Sequence, residues 1–312
     1  MATTTMAPGP QVWSTTPWSA NDRRRTRGNY HLRKSKLEWM NTDEMTRAFL
    51  ADPTSSFTQF LGRTSPELLP IQAGVRSASD LSPTATTIVA VATESGVILA
   101  GDRRATMGSM IAQRDIQKVY VADDFSAIGI AGSAGLAIDL VKLFRVELEH
   151  YEKIEGAPLT LDGKANRLAS MIRGNLGMAL QGFVVVPLFV GWDLTSTKAR
   201  IFSYDATGGC YEETGYHAVG SGSVFAKGSL KKLYREKASL DEAVIMCIQA
   251  LFDAADDDAA TGGPDVLRRI FPAVISVTAE GATQIPETRI AEVTDRVLAA
   301  RTIRPDGPEA RL

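Results

Sequence analysis

From residue 86 onward, short apolar runs alternate with polar turns and then give way to longer runs with helical spacing. TTIVAVAT begins at Thr86, and GVILAGDRR follows it after ESG, which is typical of a β-hairpin. KVYVADD and SAIGIAG predict a second pair of strands. The spacing of Leu136, Leu140 and Leu148 predicts a helix, and DGKANRLASMIRGNLGMALQG predicts another. We therefore expect four strands followed by two helices.

The second half of the chain repeats this order of strands before helices. FVVVPLFVGWD, ARIFSYDATGG and CYEETGYHAVGSG each predict one strand. SVFAKGSLKKLYREKA and SLDEAVIMCIQALFDAADDDAA predict helices, the second with Ser239 as its cap. AVISVTAEGATQIP predicts a hairpin, and PETRIAEVTDRVLAAR predicts a closing helix. Because blocks of antiparallel strands are separated from blocks of helices, we predict an α+β fold, a four-layer αββα sandwich with helices on the outer faces of two sheets.

Residues 1–85 differ in composition from the rest of the chain. They are poor in aliphatic residues, rich in Thr, Pro and Arg near the start, and without periodicity. Such a segment cannot offset its ordering entropy, so we predict that it is largely disordered. Its basic run RRRTR is typical of a solvated tail, and no apolar core of an export signal follows it. The apolar stretch LGMALQGFVVVPLFVGW is too short to span a bilayer, so we expect a cytoplasmic protein.

Charge and the metal-binding residue types narrow the function classes. A formal net charge of -2 over 312 residues gives no overall attraction to nucleic acid or to an anionic membrane. Cys210 and Cys247 are far apart, and His31, His150 and His217 lack the spacing of metal ligands. We therefore expect no disulfide, no metal site and no other cofactor.

The first predicted hairpin places three polar residues near one another. Side chains alternate along a strand, so Thr86 and Thr87 point to opposite faces. A turn at residues 94–96 brings Asp102 opposite Thr86, within a residue or two, and Lys118 from the next strand reaches the same end of the sheet. Threonine is also an ordinary strand residue, and such an ion pair on a surface contributes only about 0–1 kcal/mol. On these residues alone, a catalytic group and a surface pair both remain open.

A resemblance favours the catalytic interpretation. TTIVAVATESGVILAGDRRAT resembles the start of the mature proteasome β-subunit, actinobacterial type, and the similarity continues through RDIQKVYVADD, GIAGSAG, VELEHYEKIEG, GSGS and DAADDDAATGGPD. It implies the N-terminal nucleophile hydrolase fold and a threonine endopeptidase. It also implies that residues 1–85 are a propeptide removed by self-cleavage between Ala85 and Thr86. Residues 86–312 would then be the catalytic domain, with a short flexible C-terminal tail. Relatives usually carry Gly where this chain has Ala85.

The resemblance assigns roles to individual residues. Thr86 would be the nucleophile and its own α-amine the base, because a hydroxyl needs an adjacent base at neutral pH. Lys118 would lower the pKa of that amine, and Asp102 would hold the lysine. The Gly132 N–H would bind the developing oxyanion.

Further residues would support the threonine or bind the substrate. Hydrogen bonds to the threonine amine and its water would come from Ser221, Asp258 and Thr261; relatives often carry Ser at the last position. Thr106 would align the substrate backbone as an added strand. The primary pocket, which would prefer large hydrophobic side chains before the scissile bond, would be lined by Ala105, Ile116, Tyr120, Ile130, Ala134 and Ile138.

The resemblance also implies partners. Related subunits form stacked heptameric rings, with β rings between rings of α-subunits, and an ATPase ring delivers tagged proteins through the α ring. Neither nucleic acid nor membrane is expected as a partner. Two alternatives remain open: an HslV-type peptidase, which usually has Gly-Asp-Gly where this chain has GDRR, and a noncatalytic α-type ring subunit. Translation from Met40 or Met45 is a further hypothesis.

Overall fold

The computed structural model describes residues 86–307. The predicted propeptide, with Ala85, and the end of the predicted C-terminal tail lie outside these residues. Within residues 86–307 the strands are β1 (Thr87–Thr93), β2 (Gly96–Gly101), β3 (Ala105–Met107), β4 (Met110–Gln113), β5 (Val119–Asp123), β6 (Ser126–Gly132), β7 (Val185–Asp193), β8 (Lys198–Tyr204), β9 (Cys210–Glu213), β10 (Tyr216–Gly220), β11 (Ala273–Thr278) and β12 (Gly281–Gln284). The helices are α1 (Ala134–Glu155), α2 (Leu161–Gly174), α3 (Leu176–Ala179), α4 (Ser223–Leu233), α5 (Leu240–Asp257) and α6 (Glu287–Ile303).

Ten of these strands form two five-stranded antiparallel sheets. The first sheet has the order β10-β1-β2-β11-β12, and the second has the order β5-β6-β7-β8-β9. Among the strands of residues 86–307, β3 and β4 pair only with each other, as a separate two-stranded hairpin. Each predicted hairpin pairs its two strands: β1 with β2, β5 with β6, and β11 with β12.

Three apolar layers hold the fold together. Alternate residues of β1 point to opposite faces: Val89 packs with helices α4, α5 and α6, whereas Ile88 packs against the second sheet. On the outer face of the second sheet, Ile128 packs against Phe144 and Leu168 of helices α1 and α2. The layers are therefore helix, sheet, sheet and helix, so the predicted αββα sandwich is confirmed.

Three details of the predicted element order are wrong. The hairpin β3–β4 precedes β5, and every residue of β4 is exposed, so this strand lacks the burial alternation that marks the others. CYEETGYHAVGSG forms two strands, and they join different sheets, since β9 pairs with β8 and β10 pairs with β1. The second predicted helix ends at Gly174, because the Asn175 side chain donates to the Met171 carbonyl at 3.1 Å and competes with the helical backbone.

Helix α5 begins as predicted. Ser239 Oγ accepts a hydrogen bond from the Glu242 N–H at 3.3 Å, and the Glu242 carboxylate accepts one from the Ser239 N–H at 2.9 Å. This capping box fixes the start of the helix that packs across β1 and β2. Among residues 86–307, every helix is too short or too polar to cross a membrane.

Candidate active site

The β1–β2 hairpin brings Asp102 beside the two threonines. Ile88 pairs with Gly101, so Thr87 and Asp102 meet at the open end of the hairpin. The Asp102 N–H donates to the Thr87 carbonyl oxygen at 3.1 Å, and the Thr87 N–H donates to Asp102 Oδ1 at 2.8 Å. The Asp102 carboxylate is therefore bound to the residue that directly follows Thr86.

A buried ion pair links this end of the hairpin to the second sheet. Lys118 directly precedes β5, and its Nζ lies 2.6 Å from Asp102 Oδ1. The Asp102 side chain is 0% exposed and the Lys118 side chain 4%. Asp102 Oδ2 accepts from the N–H groups of Arg104 at 2.9 Å and Gly262 at 2.8 Å. These donors, together with Thr87, offset the cost of burying the carboxylate and fix its position.

The charge of Lys118 depends on this carboxylate. Burial lowers the pKa of the Lys118 ammonium below its ordinary value. Asp102 opposes that effect through its charge and its hydrogen bond, and the nearby Arg104 adds a smaller repulsion that lowers the pKa. Neutralising Asp102 would therefore lower the pKa of Lys118 further.

Thr86 lies in a cleft with groups from both sheets. The residue is 5% exposed, and its carbonyl oxygen accepts a hydrogen bond from the Ser221 N–H at 3.0 Å. Thr86, Lys118 and Gly132 line this cleft together. At Gly132 the backbone φ is 112°, and a Cβ atom would lie 2.1 Å from the Val184 carbonyl oxygen, so only glycine fits.

The predicted supporting residues form a hydrogen-bonded cluster next to Thr86. Ser221 Oγ and Thr261 Oγ1 each donate to Asp258 Oδ2 at 2.6 Å. Burial raises the pKa of Asp258, but these two hydroxyls and the Ala260 N–H together outweigh burial and lower it. The carboxylate therefore stays an acceptor and orients both hydroxyls.

Thr87 and Gly222 also belong to this cluster, and sequence reasoning missed them. Thr87 Oγ1 lies 2.6 Å from Thr261 Oγ1 and accepts a hydrogen bond from the Gly222 N–H at 3.0 Å. The only sequence signal was the doubled threonine, whose second member faces away from the first. The two hydroxyls come from positions 174 residues apart, a separation that no local pattern reports.

The rest of this cleft is an apolar pocket. Six of the seven predicted substrate-site residues line it, together with Gln117 and Ala137; they are Ala105, Ile116, Tyr120, Ile130, Ala134 and Ile138. The seventh, Thr106, follows Ala105 in β3 and pairs with Ile111 of β4. Burial raises the pKa of Tyr120, whose hydroxyl donates to the Gln117 carbonyl at 2.7 Å. Tyr120 is thus a neutral phenol whose hydroxyl is hydrogen-bonded to the backbone.

The cleft holds the groups that acyl transfer needs. They are the hydroxyl-bearing Thr86, the Lys118–Asp102 ion pair and the backbone of Gly132 at the end of β6. Within residues 86–307, no group of three His, Cys, Asp or Glu side chains is placed to hold a metal ion. Cys210 and Cys247 are free thiols, and burial raises the pKa of each. A raised thiol pKa disfavours the reactive thiolate.

Comparisons with known proteins agree with this geometry. The family model described as "Proteasome subunit" matches residues 82–268. The chain is 56% identical over 277 residues to "Proteasome subunit beta" of Streptomyces griseus, covering 87% of this chain and 98% of that relative. It is 55% identical over 282 residues to "Proteasome subunit beta" of Rhodococcus erythropolis, covering 86% of this chain and 97% of that relative. The chain therefore belongs to the proteasome subunit family.

Proposed function

We propose that this chain is a threonine endopeptidase subunit of a 20S proteasome core, with Thr86 as its nucleophile. The observation that carries the proposal is the buried Asp102–Lys118 pair, 2.6 Å apart, at the cleft that Thr86 lines. Family membership supports a peptidase of the proteasome type. The threonine mechanism rests on the chemistry of these residues.

In the proposed reaction, the α-amine of Thr86 takes the proton of the Thr86 hydroxyl while Oγ bonds to the substrate carbonyl carbon. A free α-amine has a pKa of about 7.7–8.0, and a cation at Lys118 lowers that value and enlarges the neutral fraction. The amide C–N bond then breaks, and the leaving amine takes the proton. Water hydrolyses the resulting ester, which restores the hydroxyl and releases a carboxylic acid.

Backbone and side-chain groups stabilise this path. We assign the Gly132 N–H to the oxyanion, since it lies at the end of β6 on the wall of the cleft. Ser221, Asp258 and Thr261 hold the amine and the attacking water. Asp258 remains the acceptor of this set because its pKa is lowered.

The same hydroxyl removes the propeptide in this proposal. Before cleavage, Thr86 has an amide nitrogen and no amine base. Thr86 Oγ attacks the Ala85 carbonyl with a water as proton carrier, the amide bond breaks, and hydrolysis of the ester releases residues 1–85. The new α-amine then serves as the base in later turnovers.

The apolar pocket sets the substrate preference. Large hydrophobic side chains fit before the scissile bond, because burying one contributes about 1.5–3 kcal/mol. Thr106, in the short strand β3, aligns the substrate backbone.

We propose assembly into stacked heptameric rings with α-subunits and other β-subunits. An ATPase ring delivers tagged proteins through the α ring, with no nucleic-acid or membrane partner, and the particle works in the cytoplasm. The high identity to relatives named "Proteasome subunit beta" supports this assembly over an HslV-type peptidase and over a noncatalytic α-type subunit.

Intact-mass measurement tests the processing step. The full chain is co-expressed with its α-subunit, and the assembled particle is purified. We expect a mass that begins at Thr86 for the wild type and an uncut chain for Thr86→Ala. An uncut wild-type chain in an assembled, peptide-hydrolysing particle would overturn the proposal.

A further inference from the structure

Thr87 joins three segments of the chain that each carry a residue of the proposed active site. Its backbone N–H binds Asp102 at 2.8 Å. Its hydroxyl accepts from the Gly222 N–H at 3.0 Å, in the turn that carries Ser221, and lies 2.6 Å from Thr261 Oγ1. Thr87 and Thr261 are both 0% exposed. A fully buried hydroxyl with two partners is held in one orientation.

The direction of the hydrogen bonds in this cluster follows from counting protons. Asp258 is a carboxylate and can only accept, so Thr261 donates its single hydroxyl proton to Asp258 Oδ2 at 2.6 Å. Thr261 Oγ1 must therefore accept from the Thr87 hydroxyl. Thr87 Oγ1 in turn accepts from the Gly222 N–H. The chain of hydrogen bonds runs from Gly222 through Thr87 and Thr261 to Asp258.

There is also little free space around the Thr87 and Thr261 hydroxyls. A Cβ atom added at Gly222 would lie 2.6 Å from Thr87 Oγ1 and 2.6 Å from Thr261 Oγ1. The glycine allows the turn to approach both hydroxyls, and a methyl group would push them apart. The distances between these segments thus depend on contacts with Thr87.

We infer that Thr87 is a positioning residue for peptide hydrolysis, whose hydroxyl orients Thr261 and seats the Ser221–Gly222 turn against Thr86. The inference rests on the proposed function of Thr86. Thr261 Oγ1 has two lone pairs and one proton. The Thr87 hydroxyl binds one lone pair and Asp258 binds the proton, so one lone pair remains to accept an N–H of the Thr86 amine. Asp258 keeps Thr261 an acceptor, and the Thr87 hydroxyl fixes which lone pair of Thr261 faces the amine, so the amine lone pair is left to face the Thr86 hydroxyl.

Three variants of the full chain, each assembled with its α-subunit, test this role. Thr87→Val keeps the shape and removes the hydroxyl, whereas Thr87→Ser keeps the hydroxyl. Thr93→Val is the matched control, because Thr93 is a buried threonine at the other end of β1 whose hydroxyl also bonds locally. Rates of peptide hydrolysis are normalised to the processed fraction from intact mass.

We expect Thr87→Val to lower kcat by about 10- to 100-fold with KM changed less than about twofold, because misplacement of a supporting group acts on the chemical step. Without the Thr87 hydroxyl, Thr261 is no longer oriented toward the amine. The acid limb of the pH–rate profile therefore also moves to lower pH, since the protonated amine loses a partner. For Thr87→Ser and Thr93→Val, both kcat and the acid limb of the pH–rate profile should be close to those of wild type. Wild-type kcat in Thr87→Val, or an equal loss in Thr93→Val, would overturn the inference.

If Thr87→Val does not assemble, Thr87→Ser and Thr87→Cys decide, because they differ only in oxygen and sulfur. A low kcat for Cys beside a wild-type kcat for Ser supports the inference, and equal values overturn it. Thr86→Ala separates this question from the proposed function. An active Thr86→Ala particle refutes the nucleophile itself, whereas an inactive one beside a fully active Thr87→Val particle refutes only the role of Thr87.

Discussion

Among residues 86–307, two lysine–aspartate pairs have a buried lysine, and one of the two adjoins the cleft. Lys118 Nζ lies 2.6 Å from Asp102, and Lys164 Nζ lies 2.7 Å from Asp123. Asp123 is tied within its own turn, to the Phe125 N–H at 3.1 Å and the Ser126 hydroxyl at 2.7 Å. That pair anchors helix α2 to the β5–β6 turn.

Asp102 is surrounded differently. Besides the neighbouring Arg104 N–H, its partners come from β1, from the residue before β5 and from Gly262, which is 160 residues away along the chain. Its side chain is 0% exposed, against 20% for Asp123. Burial of an ion pair is therefore a weak indication of a site, whereas convergence of distant segments on one carboxylate is a strong one.

The largest contrast should come from removing each lysine. We expect Lys118→Met to lower peptide hydrolysis by about 10²-fold or more, because the charge beside the proposed nucleophile is lost. Lys164→Met should hydrolyse peptides within about twofold of wild type, with a lower melting temperature. Steady-state rates of the assembled particles, corrected for processed fraction, measure both. An equal loss of activity in the two variants would erase the distinction between the pairs.

The pH dependence of peptide hydrolysis should show a smaller effect than the removal of Lys118. The pKa of Lys118 is lowered from 10.5 by burial, against the effect of Asp102. Since the proposed mechanism uses the charged lysine, activity should fall as pH rises through this lowered pKa, so the alkaline limb lies below the pKa of a free lysine. Asp102→Asn removes the interaction that favours the charge and should move the limb to still lower pH. A pH–rate profile of the residual activity checks this shift, and an unmoved limb would argue against the coupling.

The smallest effect should come from replacing Asp123, the carboxylate of the Lys164 pair. Asp123→Asn keeps the shape and an oxygen that can accept from Lys164, but it removes the charge opposite a lysine that is 7% exposed. We therefore expect the free energy of unfolding to fall by about 1–3 kcal/mol, with a melting temperature lower by about 2–4 °C per kcal/mol. Peptide hydrolysis should stay at the wild-type level. Thermal unfolding measured alongside the rate tests both halves, and a clear loss of activity would mean that this pair also serves the cleft.

Much of the fold was predictable because its strands are buried in a regular way. Val89 and Ile88 face different apolar layers, and this alternation is what the sequence pattern reports. β4 was missed because all its residues are exposed. The assignment of β9 and β10 to different sheets depends on their pairing partners, which local sequence does not contain.

The candidate site likewise has a part that the sequence predicts and a part that it does not. Hairpin geometry predicted that Asp102 approaches the first threonines. Lys118 was expected at the same end of that sheet, but it reaches the site from the second sheet, beside β5. The resemblance supplied the pocket residues. The contact between Thr87 and Thr261 could not be predicted, because it depends on how the turn after α5 folds back onto the open end of the β1–β2 hairpin. Tertiary packing decides that contact, and neither composition nor spacing indicates it.

The most direct test of the account is the rate at which the assembled particle cleaves a fluorogenic peptide with a large hydrophobic residue before the scissile bond. Wild type, Thr86→Ser and Thr86→Ala are compared at equal particle concentration. We predict cleavage by wild type and by Thr86→Ser, which retains a hydroxyl beside the α-amine, and no cleavage above background by Thr86→Ala. Cleavage by Thr86→Ala at the wild-type rate would contradict the central claim that this hydroxyl is the nucleophile.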